Sequence, residues 1–190
     1  MPIILAHETI TFQRIDTILG IIKYLAENCG ADPRDQNDSP LIKATWSGNV
    51  QVVRYLVEKH GADPRVQNDK PLLFAFRSGS WEMVRYLMER GADIQNIKRR
   101  AIIAASRSGS QELFRYLVRN VAPSFYDDKY LGRVLTAAGK SNNTDLFWEV
   151  VEMGRSMDIP NFEKRIDMVL SYFDHLKEMT SEKFPPVLSP

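Results

Sequence analysis

A chain of 190 residues, 44% hydrophobic and 26% charged, is long and apolar enough to bury a core, as one domain or as a short repeat array. Its formal net charge of +1 excludes a global electrostatic pull toward nucleic acid or an acidic membrane. Cys29 is the only cysteine, which excludes an internal disulfide and suits a reducing compartment.

The opening run MPIILAHETITFQ has neither a basic leader nor a small-residue cleavage site, so it does not read as a signal peptide. No apolar stretch approaches membrane-spanning length. The expected setting is intracellular, cytoplasmic or nuclear. Residues 1–16 read as an N-terminal cap or a degenerate first helix, centred near Ile10 to Ile15. Ile21, Ile22, Tyr24 and Leu25 then make one apolar helical face, closed by Gly30-Ala31-Asp32.

From this point the chain repeats itself. Gly30-Ala31-Asp32 returns as Gly61-Ala62-Asp63 and Gly91-Ala92-Asp93, and Ser47-Gly48 returns as Ser78-Gly79 and Ser108-Gly109. Tyr24-Leu25 returns at 55–56, 86–87 and 116–117, always at offsets of 30 or 31 residues. Each unit predicts two short helices. The first runs from near Pro40 to Ser47 with Leu41 and Ala44 on one face, and Gly48 breaks it. The second, Val50 to Lys59, carries Val53, Leu56 and Val57, and Gly61 suits the left-handed position that ends a helix. The next units use Leu72, Ala75, Val84, Leu87 and Met88, then Ile102, Ala105, Phe114, Leu117 and Val118. Ser80 and Ser110 stand where a hydroxyl caps the second helix. One helix pair cannot bury its own apolar face, so several must stack.

After Asn120 the pattern loosens. Gly139 falls 30 residues after Gly109, Ser141-Asn142-Asn143 reads as a three-residue insertion, and Leu146, Phe147, Val150 and Val151 restore a second-helix face. A longer amphipathic helix is expected over 161–179, with Ile166, Val169, Leu170 and Phe173 on one side. The prolines of KFPPVLSP suit a loose tail. The expected fold is all-α, a solenoid of stacked helix pairs with short turns. An array of about four units over 17–154 is followed by a capping helix within 155–180 and a flexible tail over 181–190.

Pro40-Leu41-Ile42-Lys43-Ala44, Pro71-Leu72-Leu73-Phe74-Ala75, the middle glycines at 48, 79 and 109 and the closing Gly-Ala pairs together resemble the ankyrin repeat. The resemblance is strong over about Ile15 to Asn120 and weaker to about Gly154. It implies a non-catalytic module that binds a protein partner through the concave face of its first helices. The Thr and His of the family's Thr-Pro-Leu-His are missing throughout. The segment from closing Gly to next Pro is about three residues shorter than usual. Asn37-Asp38 and Asn68-Asp69 are turn formers, so tight turns are expected where longer relatives carry projecting hairpins. This compact form is similar to ankyrin arrays abundant in giant DNA viruses of amoebae, which would place the protein in a host cell.

By position the resemblance assigns Lys43, Trp46, Phe74, Arg77 and Arg107 to the concave face. Trp46 and Phe74 are either partner anchors or packing against the next repeat. Lys98, Arg99 and Arg100 read as a solvated charged turn, or, with Arg77 and Arg107, as a basic patch for an acidic peptide or phosphate. Arg54, Arg85 and Arg115 have Glu58, Glu82 and Glu112 at helical spacing, so local pairs on a solvated face are expected. The tyrosines at 24, 55, 86 and 116 suit packing between repeats. His7, His60 and His175 are scattered without metal-ligand spacing, and Cys29 has no equivalently placed His. No phosphate-binding glycine loop is present, and the carboxylates occupy turn and surface positions. No enzyme activity, cofactor or metal is expected. The expected partner is a protein, not nucleic acid or membrane, and the chain is expected to be a monomer. Ile159-Pro160 with Phe162, Ile166, Val169, Leu170 and Phe173 also resembles the start of an F-box, which implies the alternative of a ubiquitin-ligase adaptor; a plain capping helix is the simpler reading.

Overall fold

A computed structural model describes residues 18–120, 127–157 and 159–173. The expected N-terminal segment 1–16, the end of the expected helix over 174–179 and the tail over 181–190 lie outside the described residues. The chain divides into two compact units, residues 1–97 and 98–190. The first holds α1 (residues 18–28), α2 (Asp35–Trp46), α3 (Val50–His60), α4 (Val66–Ser78), α5 (Trp81–Glu89) and a 3-10 turn over Ile94–Asn96. The second holds α6 (Lys98–Ser108), α7 (Gln111–Asn120), α8 (Asp128–Gly139), α9 (Thr144–Ser156) and α10 (Phe162–Tyr172). Among the described residues there is no strand, and no helix is long and apolar enough to cross a membrane.

In each unit a first helix packs on its own second helix and on the next first helix: α2 on α4, α6 on α8, and α8 on α10. The apolar positions set by the repeat fill these contacts. Leu41, Val53, Leu56, Leu72, Val84 and Leu87 are fully buried in the first unit, and Ile102, Leu117, Leu131, Val134, Phe147 and Val150 are buried in the second. Ala44, Ala75 and Ala105 are buried too, where a larger side chain would hold neighbouring first helices apart. Between paired helices Gly48, Gly79 and Gly109 adopt left-handed φ of 74°, 75° and 77°, and Asn49 or Ser80 then accepts a backbone N–H in the first turn of the second helix. The pair α8–α9 departs from this scheme. Gly139 stays inside α8, and the left-handed residue is Asn142 (φ 57°), three positions later, as the insertion requires. Asn143 caps α9 through Leu146 N–H at 3.0 Å and donates its amide to the Gly109 carbonyl at 2.8 Å.

Near their starts α2 and α4 are interrupted by tight kinks in which one residue is more buried than the composition suggests. Gln36, Asn37 and Asp38 are three consecutive left-handed residues (φ 52°, 58° and 55°), and Gln67, Asn68 and Asp69 repeat them (52°, 57° and 54°). Left-handed backbone costs an L-residue roughly 1–2 kcal/mol, less for Asn and Asp. What holds it is a buried carboxylate. Asp38 is 3% exposed and Asp69 is 1% exposed, contrary to the expectation that the carboxylates sit on the surface. The Asp63 amide donates to Asp38 at 3.2 Å, and Arg34 Nε donates to its other oxygen at 3.0 Å. The Asp93 amide donates to Asp69 at 2.9 Å and Asn96 Nδ2 at 2.6 Å. Each carboxylate thus ties its turn to the next one. The aspartates of the repeated Gly-Ala-Asp do different work. Each accepts the backbone N–H two residues on, at 2.8 Å for Asp32, 2.9 Å for Asp63 and 2.8 Å for Asp93, which pins the start of the turn.

Helix α10 takes the place of a further first helix, packing on α8 and α9 with Phe162, Ile166 and Val169 buried. Its approach depends on Gly154 in α9: a methyl group there would overlap the Phe162 ring and the end of Leu131. Gly154→Ala should therefore destabilise the protein by roughly 1–3 kcal/mol, as overpacking of a filled core does. Asp69→Ala should cost roughly 1–3 kcal/mol by leaving the part-buried Asp93 N–H without this acceptor. Urea unfolding of the full chain checks both, and a neutral result for either variant contradicts the packing described.

Candidate partner-binding surfaces

The first helices present their outer faces to solvent. In the first unit, Lys43, Trp46 and Arg77 are exposed and Phe74 is half-buried. Trp46 is 62% exposed, and its ring lies 6.3 Å from that of Phe74 at an interplanar angle of 37°. The two sequence-predicted aromatics therefore form one tilted pair, neither lost into the core. Neither Lys43 nor Arg77 has an ion pair among the described residues, so both charges remain available beside the pair.

Lys98, Arg99, Arg100 and Arg107 belong to the second unit, and Arg77 to the first. Arg99 stands eight residues after the closing Gly91, the position that Asp38 and Asp69 hold after Gly30 and Gly61. Here the same link is made with the charges reversed. The Arg99 guanidinium donates to Asp127 at 3.1 Å and lies 4.6 Å from the centre of the Tyr130 ring, whose hydroxyl donates back to the Arg99 carbonyl at 2.9 Å. Arg99 is thus a structural residue of its turn, although half exposed. Arg100 is exposed.

Arg107 lines a groove of about 410 Å³ between α6, α8 and α10. Lys129 and Arg133 of α8 and Lys140 just past its end line it as well, on one stripe that includes Thr136, over a floor of Ile103, Ala137 and Met168. Arg165 completes the wall, but its guanidinium is held by Asp128 at 2.8 Å. Arg107, Lys129, Arg133 and Lys140 have no ion pair among the described residues. Lys129, Arg133 and Lys140 do not stand out by repeat position, because the insertion after Gly139 shifts the register just there. Their spacing of i, i+4, i+7 (Thr136) and i+11 was the available signal.

The second helices have little left to offer. For Arg54 and Arg115 the expected local pairs give way to contacts from one repeat to the next, and only Arg85 keeps a local one. Arg54 bonds Glu82 at 3.4 Å rather than Glu58, and Arg115 bonds Glu149 at 2.7 Å rather than Glu112. Arg85 reaches Glu89, four residues on, at 3.9 Å. The tyrosine ladder belongs to the same network. Tyr55 donates to Glu27 at 3.3 Å and Tyr86 to Glu58 at 3.2 Å, while Arg54 and Arg90 lie 4.8 and 5.0 Å from the Tyr86 ring centre. Second helices stack in register, so a long side chain reaches its neighbour in the following repeat as readily as the next turn of its own helix. Tyr24, at the start of the ladder, is exposed.

Residues 15–98 match the family model for ankyrin repeats in three copies. No curated protein matches the chain.

Three carboxylates in the second unit are held below their ordinary range. For Asp127 the main cause is the Tyr130 N–H, donated at 2.7 Å, followed by Arg99. Hydrogen bonds from Arg165 act on Asp128, and those from Arg155 act on Glu163. A depressed folded-state value contributes stability that is present above the unfolded value, near 4, and is lost as pH falls through the lower folded one. The urea midpoint should hold from about pH 7 to about pH 5 and drop below about pH 4. Asp128→Asn should be less stable than wild type at neutral pH, with the gap closing on acidification. A gap that stays constant with pH contradicts the assignment.

Proposed function

We propose that this ankyrin repeat protein is a non-catalytic interaction module that takes a protein partner on the outer face of its first helices. Ankyrin repeats generally mediate protein–protein interaction. The observation that carries the reading is the Trp46–Phe74 pair. Trp46 touches Phe74 of the next repeat, yet 62% of its surface stays in solvent on a helix whose other face fills the core. Large aromatics flanked by cations are the side chains that contribute most when an interface closes over them. The short turns support the same face, since they offer no projecting hairpin as an alternative platform.

A monomer acting inside a cell belongs to this proposal. The similarity of its compact repeats to those of giant DNA viruses of amoebae extends it to a viral protein in a host cell. Burial of Phe162, Ile166 and Val169 supports a capping role for α10 over ligase recruitment, because the apolar side that resembles an F-box is already used in packing.

Affinity capture with the tagged full chain tests the reading. Trp46→Ala and Arg77→Glu should leave the circular dichroism spectrum unchanged and reduce recovery of the main captured protein by about tenfold. Undiminished capture by both variants would remove the first-helix face of the first unit from consideration.

A further inference from the structure

The basic groove of the second unit carries an inference beyond the aromatic pair of the first. We infer that it binds an extended acidic peptide segment of a partner protein. Arg107, Lys129, Arg133 and Lys140 surround one groove without an ion pair among the described residues. No carboxylate is among the described residues that line it; Asp128, which precedes Lys129, is bound by Arg165, and Asp127 by Arg99. Four like charges kept together repel one another, and an anion in the groove relieves that repulsion. The chain as a whole is nearly neutral, so the concentration of charge is local and not a consequence of composition.

Shape selects among anions. Lys129 to Lys140 spans eleven residues, about 16 Å along a helix. That length matches about five residues of extended chain, in which side chains on one face recur about every 7 Å. Cations strung out over such a distance do not converge on a single phosphate. Among the described residues no aromatic side chain lines the groove to stack a base, which disfavours single-stranded nucleic acid. A concave groove also fits a peptide better than a flat bilayer. Its floor of Ile103, Ala137 and Met168 offers an apolar seat for one side chain of the segment.

The probe is a fluorescein-labelled peptide of alternating glutamate and alanine with one central leucine, compared by anisotropy with the same peptide carrying glutamine for glutamate. The full chain should bind the glutamate peptide at least about tenfold more tightly, and affinity should fall steeply between about 50 mM and about 500 mM salt. Lys129→Glu with Arg133→Glu should weaken binding by at least about tenfold, while Trp46→Ala should not change it. The inference therefore stands or falls separately from the Trp46 assignment. If charge reversal perturbs the circular dichroism spectrum, Lys129→Gln with Arg133→Gln is used, with a smaller loss in the same direction. Equal affinity for the two peptides, or unchanged binding by a folded groove variant, overturns the inference. So does groove-dependent binding of phosphatidylserine vesicles or single-stranded DNA where the glutamate peptide does not bind.

Discussion

A buried aspartate in each Gln-Asn-Asp turn holds one repeat to the next. Three successive residues of left-handed backbone are unfavourable by themselves, and Gln36 and Gln67 lack the tolerance of Asn or Asp for that conformation. The turns persist because the third residue delivers its carboxylate to the following turn, where the Asp63 or Asp93 amide would otherwise lack that acceptor. The hydrogen bond and the strain are therefore coupled: remove the carboxylate and nothing selects the left-handed path. Arg99 with Asp127 and Tyr130 makes a corresponding link in the second unit with reversed charge, so what recurs is a polar tie between turns rather than a particular residue.

That tie has consequences for recognition. A turn this short and this inward-facing cannot project, and the second helices are engaged with one another through Tyr55, Tyr86, Arg54 and Arg115. The outer side of the first helices is left. In the first unit it carries an aromatic pair with two cations that have no ion pair among the described residues, and in the second a groove rimmed by cations over an apolar floor. The two surfaces differ in chemistry although the core beneath them follows one pattern, because the pattern constrains only the buried positions of each helix.

The same division explains what could be read from the sequence. Leu41, Ala44, Val53 and Leu56 were legible, as were their counterparts, because burial restricts each site to apolar side chains and the restriction repeats every 30 or 31 residues. The glycine at each helix break and the capping role of Ser80 were legible for the same reason: local backbone geometry admits few residues there. Asp38 and Asp69 were recognised as turn residues but not as buried ones, since the backbone amides they accept from lie 25 and 24 residues away. Gly154 was missed because its role depends on the ring of Phe162, which reaches it from a different helix. Trp46 and Phe74 stood out by their place in the repeat, and the structure leaves the first exposed and the second half-buried, whereas Lys129, Arg133 and Lys140 fell beyond the point where the repeat loses register.

The tie between turns is most directly tested by hydrogen exchange at the backbone amides of Asp63 and Asp93. Both residues sit in connecting segments, where an amide without a partner exchanges quickly. The account predicts slow exchange at both in the wild-type chain, with protection lost at Asp63 in Asp38→Ala and at Asp93 in Asp69→Ala. Fast exchange of both amides in the wild-type protein, or protection that survives removal of the carboxylate, would contradict it.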